Sequence, residues 1–580
     1  MTVTPNTAKA AIQAKVQSQV IRYALELIVE DMAQSLMRTA RSVIIKESQD
    51  LSCCIFDRKG RVVVQSNHAP MLLAGSAYTI EAAIAQLGAR GFEDGDIVMA
   101  NDPYRGGQHL MDVMMISPVF VEGEHVGYVS CLAHHSDLGG ASPGGVAGGL
   151  RDIYSEGLCF PFVRAYIRGE ENRDLFAMIE GNVRAPYKTL SDMRAQVAAC
   201  LTGIRRYKET IARFGLPAIA AAADMLIQET EERMLAGLDK LPDGEFTGEE
   251  WVDDDGVTDQ PAHIVVKVKK YGRSLEIDLT GSNDQVQGNI NCPLATVMAA
   301  VQYPFTCAID KTVCANHGMF NVLKFKTRKG SILDPVRPAA VAARTNVSLK
   351  VQEATIKALA KMLPGTMMAT SHGQVTHMAI VGEDPQKRRT FIYNDLAGGG
   401  AGARPTKDGR DGQDTHLARF MNTPVEMIEH EFPVRCQRYE LVPDSGGAGR
   451  YRGALALLRD VEVLTEKALF SRYGDRQKFR PEGLDGGGDG EPGKFVLNPG
   501  RDDRTLKSKG VDEVRKGDVV RILTPGGAGY GDPRQREVRL IAADLADGKT
   551  SEDFVLRHYG REKLFEAKRM LAGTQRVAAE

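Results

Sequence analysis

Net charge is almost absent from this sequence: 73 basic residues against 75 acidic ones leave −2 at neutral pH. Such balance favours neither nucleic acid nor an anionic membrane as partner. Long apolar runs are missing too. No stretch approaches the ~18 uncharged apolar residues of a membrane-spanning helix, and Glu26, Glu30 and Asp31 interrupt the first apolar pattern, so it has no secretory-signal core. The nine cysteines are odd in number and show no C-x-x-C spacing. That argues against a disulfide framework and a structural zinc module, and a reducing, cytoplasmic setting is expected. No G-x-S-x-G elbow occurs, and no cysteine sits where its pKa would fall, which disfavours covalent catalysis.

Nucleotide signatures come close and fail. GDGEPGKF at 488–495 nearly spells a phosphate loop, but Phe495 stands where a hydroxyl must meet magnesium. GGGAGA at 398–403 fits G-x-G-x-x-A after a strand-like run, yet RPTKDG follows where the dinucleotide fingerprint needs a helix. DSGGAG at 444–449 and PGGAGYG at 525–531 read as tight turns where backbone approaches backbone or ligand. The chain therefore shows no nucleotide site of its own.

What is present is an ordinary 43% of hydrophobic residues and an unusual 59 glycines in 580 residues. At about 150 residues per domain the length suggests three or four domains. The expected fold is mixed α+β and multidomain. Residues 1–244 would hold N-terminal helices, a metal-bearing β-hairpin and a helical hairpin; 245–390 a mixed α/β unit; 391–580 short strands and glycine turns. Ile12, Val16, Val20, Tyr23, Ala24, Leu27, Met32 and Leu36 recur at helical spacing within 8–41, a long amphipathic helix. Helices are also expected over 191–213, 217–238, 293–308 and 348–362.

The informative stretch is 101–156. Two β-branched, apolar runs, 113–120 and 126–133, flank Glu122-Gly123-Glu124, a hairpin signature. If the turn centres on Gly123, facing residues have numbers summing to about 246. Asp112 then faces His134 and His109 lies roughly opposite Asp137, at separations of about 5 Å that one ion can bridge. Two imidazoles and a carboxylate form the ligand set of an open catalytic metal site. No Lys or Arg nearby in sequence neutralises the carboxylates, and glycines flank the cluster; simple hydrogen bonding at a strand end is the alternative. Glu47 and Asp50 precede a second hairpin, and Glu47 is taken as a fourth ligand. The run from Gly139 to Gly149 would form a loop over or beside the site.

The motifs NDPYRGGQHLMD, AHHSDLGG, SILDPVRPAAVAARTN, DSGGAGRYRG and TPGGAGYGDP, in this order, resemble the hydantoinase B/oxoprolinase family over nearly the whole chain. That family takes in N-methylhydantoinase B, the C-terminal half of 5-oxoprolinase, caprolactamase-type subunits and the large subunits of acetone and acetophenone carboxylases. The resemblance implies a hetero-oligomer with a hydantoinase A-type subunit that uses ATP and magnesium to phosphorylate a carbonyl oxygen. The present chain would hold a divalent metal (zinc, manganese or iron) on His109, Asp112 and His134, with Glu47 as a further ligand. Asp137 or His135 would act as general base or orient a ligating imidazole, and Asn101, Asp102 and Tyr104 would shape the pocket of a small-molecule substrate. The expected activity is ATP-dependent opening of a hydantoin, 5-oxoproline or lactam ring. A ketone carboxylase large subunit and a non-catalytic scaffold are the alternatives.

Overall fold

The computed structural model describes residues 5–88 and 91–579. Helix α1 (Pro5–Thr39) has the expected length, but of the expected stripe only Met32 and Leu36 are fully buried, and the side chain of Ile12 lies outside the described residues. Ile21, Leu25, Ile28, Met32 and Leu36 are buried, whereas Val16, Val20, Tyr23 and Leu27 are exposed. Both stripes satisfy the helical period, and packing against the helix at Pro186–Phe214 selects one of them.

Next come a single-turn helix α2 (Val43–Lys46), strands β1 (Leu51–Asp57) and β2 (Val62–Gln65), and helix α3 (Leu72–Leu87). The sequence reading has no counterpart to α3, because a helix apolar on nearly every side shows no amphipathic period. Strand β3 (Ile97–Ala100) leads to the long hairpin of β4 (Asp112–Val121) and β5 (Glu124–His134). With β6 (Val163–Ile167) and β7 (Glu170–Glu171) they form a seven-stranded sheet in the order β2-β1-β5-β4-β3-β6-β7. The hairpin thus sits mid-sheet, and the first eight residues of β4 are all buried. That explains its continuous apolar run. Helices α4 (Arg173–Glu180), α5 (Pro186–Phe214) and α6 (Leu216–Leu238) follow. The last two break at Gly215, whose φ of 82° suits glycine.

Strands β8 (Gly244–Val252), β9 (Ala262–Tyr271) and β10 (Ser274–Asp278), helix α7 (Leu294–Ile309) and strand β11 (Leu323–Lys326) build a second, four-stranded sheet and the helix beside it. Helix α8 (Arg344–Met362) packs on β8 and β9 and is buried along most of its length. Strands β12 (Thr376–Asp384) and β13 (Arg389–Ala397), helix α9 (Val425–Glu431), and strands β14 (Val434–Val442), β15 (Ala456–Val463) and β16 (Lys467–Tyr473) come next. With β17 (Lys494–Leu497), β18 (Arg504–Leu506), β19 (Lys509–Arg515) and β20 (Val519–Leu523) they make two further sheets, β13-β12-β16-β19 and β14-β15-β20-β17-β18.

The chain closes on three helices, α10 (Val538–Ala546), α11 (Glu552–His558) and α12 (Arg561–Ala579), where strands and turns were expected. A local signal existed: the Ser551 hydroxyl accepts the Phe554 N–H, an N-cap. One apolar core holds buried residues from Ile21 to Tyr473. The glycine runs of the last third press backbone on backbone. A Cβ on Gly453 would lie 1.9 Å from the Gly527 carbonyl oxygen, and one on Gly526 1.9 Å from that of Ser445. No helix follows Gly398–Ala403, so that run has no phosphate-binding end. Among the described residues no single helix is long and apolar enough to cross a membrane.

Candidate metal centre

The hairpin register places Asp112 directly opposite His134. The ladder ends there: the Asp112 N–H donates to the His109 carbonyl at 3.0 Å, a turn that folds His109 back over the strand end. His109 Nε2 lies 3.0 Å from Asp112 Oδ1 and 3.2 Å from His134 Nδ1, and His134 Nδ1 lies 3.1 Å from the same Asp112 oxygen. These three buried residues form the described group able to hold a metal ion. Three donor atoms this close together could share one divalent ion. The donor set fits a divalent ion. His109 Nδ1 lies 2.9 Å from the Ala342 carbonyl, a bond that fixes its proton there and turns the Nε2 lone pair into the site. The Ala342 carbonyl is itself positioned, because the buried Glu156 carboxylate accepts the N–H groups of Val341 and Ala342, each at 2.7 Å.

Contrary to the expectation from sequence, a cation does neutralise the cluster. Arg344, at the start of α8, donates to Asp112 Oδ2 at 2.5 Å and to Gln108 at 2.8 Å, with both charged groups buried. It comes from 232 residues further along the chain, so no local pattern announces it. Burial would raise the Asp112 pKa, but His109 and Arg344 hold the carboxyl well below its usual range. Burial, then Arg344, push His109 down to about 4. Burial would lower His134 as well, yet the carboxylates of Asp112 and Asp50 outweigh it and raise it.

Asp50, rather than Glu47, faces this centre, its Oδ2 3.6 Å from His134 Nδ1. Glu47 caps α2 and lines a separate surface cleft. Between them Gln49 adopts a φ of 57°, which turns the chain so that Asp50 enters the sheet edge and its carbonyl accepts the His134 N–H. Burial lifts Asp50 to about 7.

The two expected catalytic groups lie elsewhere. Neighbouring residues at a strand end point to opposite faces, and His135 turns away from His134 to hold Gln196 of α5 at 2.9 Å. Asp137 accepts from the Arg184 backbone at 2.5 Å and from its guanidinium at 3.0 Å. The pocket residues are displaced too. Asn101 is spent on the carbonyls of Leu110 and Leu158 and the N–H of Phe160. Asp102 caps a short 3₁₀ turn and pairs with Arg337 at 2.7 Å, and Tyr104 donates to the Ala339 carbonyl. Tyr104 lines another cleft, together with Arg105 and Arg337.

The space beside the triad is a small cavity of about 40 Å³, walled by Asp50, His109, His134, Asn346, His377 and Tyr473 among others. That is room for an ion and a water. Val146, from the glycine-rich loop, closes one side, and its carbonyl accepts from the Ser471 hydroxyl at 3.2 Å. His377 is buried beside Asn394, and burial, followed by His134, pushes it down to about 3. Sequence reasoning passed over Asp50, Arg344 and His377, three residues that converge only in the fold.

A protein of Pseudomonas sp. (strain NS671), whose name makes it the candidate B subunit of a D-/L-hydantoinase, is 34% identical over 565 residues, covering 93% of this chain and 94% of that one. The crystal structure of the ATP-dependent caprolactamase from Pseudomonas jessenii superposes with a TM-score of 0.88 at 26% identity, covering 94% of this chain and 96% of that one. A nucleotide-free acetone carboxylase shares the fold, with a TM-score of 0.87 at 18% identity over 98% of this chain and 84% of that one. The hydantoinase B/oxoprolinase family model matches residues 14–533, and the chain belongs to that family.

Proposed function

We propose that this chain is the metal-bearing subunit of an ATP-dependent cyclic amidohydrolase, acting on a hydantoin, 5-oxoproline or lactam whose carbonyl oxygen a hydantoinase A-type partner has phosphorylated. The observation that carries the reading is the triangle of lone pairs on His109, Asp112 and His134, set 3.0–3.2 Å apart beside a small cavity. Phosphorylation turns an amide oxygen into a leaving group and leaves an electrophilic carbon, so the second subunit has to supply a nucleophile in a shielded place. A zinc, manganese or iron ion, when bound, supplies Lewis acidity that brings the pKa of water from about 15.7 toward 7. The chain's own groups do the rest. Arg344 keeps Asp112 ionised, Ala342 sets the His109 tautomer, and Asp50 stands in the cavity wall as the proton acceptor, in place of Asp137 and His135. The cavity is too small for a cyclic amide, so the wall at Phe420 and Thr345 has to move for substrate to enter.

Likeness of fold to acetone carboxylase supports a second reading, the large subunit of a ketone carboxylase. Co-purification with the A-type subunit, then assays with ATP and each cyclic amide or with a ketone and labelled bicarbonate, separates the two. His109→Ala and Asp112→Ala are expected to lose both metal and turnover while still binding the partner. Retention of metal and turnover by both variants would leave the chain a scaffold.

A further inference from the structure

A second cleft, of about 710 Å³, opens between the end of α1, α2, the start of α5 and α9. Its walls carry Arg38, Arg41, Lys46, Lys188 and Arg389 against only Glu47 and Glu431. In a chain whose net charge is −2 this is a local excess of positive charge. At the cleft bounded by Asp57 and Asp224, by contrast, three basic residues meet three acidic ones.

The pairing of these cations is the stronger observation. Lys188 is buried at the floor, 2.8 Å from Glu431 and 4.9 Å above the Phe432 ring. Glu431 is also shared with Lys387 at 3.4 Å, and these two ammonium groups, against burial, hold its carboxyl below the usual range. It therefore has little charge left for the rest of the cleft. Among the described residues no carboxylate lies within ion-pair distance of Arg38, Arg41 or Lys46, and Arg389 stacks on the Tyr187 ring, 4.1 Å from its guanidinium. Like charges lining one concavity focus a positive potential that attracts an anion.

We propose that this cleft binds a phosphate dianion, either free orthophosphate or the phosphate of a nucleotide. Guanidinium forks match phosphate oxygens two at a time, and the cleft has the volume of a small-molecule site rather than the breadth of a protein interface. The site is separate from the metal centre and needs no ion at His109. Its α2 wall runs directly into Glu47–Asp50, so an anion gripping Arg41 and Lys46 would steady the segment that delivers Asp50 to the metal cavity.

Calorimetric titration of the full chain at low ionic strength tests this, with orthophosphate and with ADP, in the presence and absence of chelator. One saturable orthophosphate site per chain is expected, unaffected by chelator. It should weaken at least about tenfold in Arg41→Gln and in Arg389→Gln, each losing a charge-assisted contact. Both residues are exposed, so circular dichroism should report an unchanged fold. Lys324→Gln, an exposed cation elsewhere, should bind as the parent does. Tighter binding of ADP than of orthophosphate identifies the source as a nucleotide, and the reverse identifies free phosphate. Absence of saturable binding at millimolar phosphate overturns the proposal. So does unchanged binding by both cleft variants, which would place the phosphate elsewhere on the chain.

Discussion

Asp112 divides its work between two oxygens: Oδ1 faces both imidazoles and Oδ2 takes the Arg344 guanidinium. Removing one partner of a buried pair leaves the other charge uncompensated, so Arg344→Met should cost about 3–5 kcal/mol of stability. Urea unfolding of the chelator-treated protein measures it, and a cost near zero would mean that Asp112 is not held by that contact. Glu156 never touches the triad, but it fixes Ala342, whose carbonyl fixes His109. Glu156→Ala, which removes the oxygen accepting both N–H groups, should therefore weaken metal binding by about 10–100-fold without abolishing it, as loss of an outer-layer partner does. Competition with a chelating dye reports the affinity. Of these residues, Asp112 and His134 were legible because hairpin register is arithmetic, whereas His109, set opposite Asp137 by the same arithmetic, reaches them through the turn before Asp112. Asp50 and Glu47 were not distinguishable, since the turn at Gln49 that separates them leaves no mark in residue type.

Helices expose the weakness of periodicity at the scale of the element. In α1, Leu25 and Leu27 are two positions apart and equally apolar, yet one is buried and the other largely exposed. Leu25→Ala should destabilise by about 2–5 kcal/mol through lost burial and the cavity left behind. Leu27→Ala should stay within about 0.5 kcal/mol. Chemical denaturation of the pair decides which stripe faces the core, and equal losses would contradict the packing described. The β4–β5 hairpin was readable for the opposite reason. A strand has two faces and one turn, so a Gly123 centre leaves a single register, and it holds from Asp112↔His134 to Val119↔Gly127 before a bulge.

Across the whole molecule, α8 links the metal centre to a buried ionic network. Its first residue is Arg344; further along, Lys350 meets Asp475 at 3.3 Å, while Arg476 meets Glu250 at 3.0 Å. Two carboxyls of this network shift in opposite directions. Burial raises Glu353 to about 7, whereas Arg476 and Lys357 overcome burial and hold Glu250 at about 2. A glutamate raised in the fold retains a proton that the unfolded chain releases near pH 4.3. Its contribution to stability therefore falls as pH rises from about 4.3 to about 7 and is flat outside that window. Glu353→Gln, which mimics the protonated form, should gain on the parent across that interval. Thermal unfolding at stepped pH checks the sign, and a gain appearing only below pH 4 would refute it.

The sequence alone settled the mixed α+β class, the central hairpin and its register, the triad and the lack of a phosphate loop, because each depends on residues near one another in the chain or on a local pattern. Tertiary structure decided what closes around that triad. Arg344 and His377 reach it from 232 and 243 positions beyond Asp112 and His134, respectively. Only packing determines which of two equivalent helical stripes turns inward and which of two nearby acids meets the histidines.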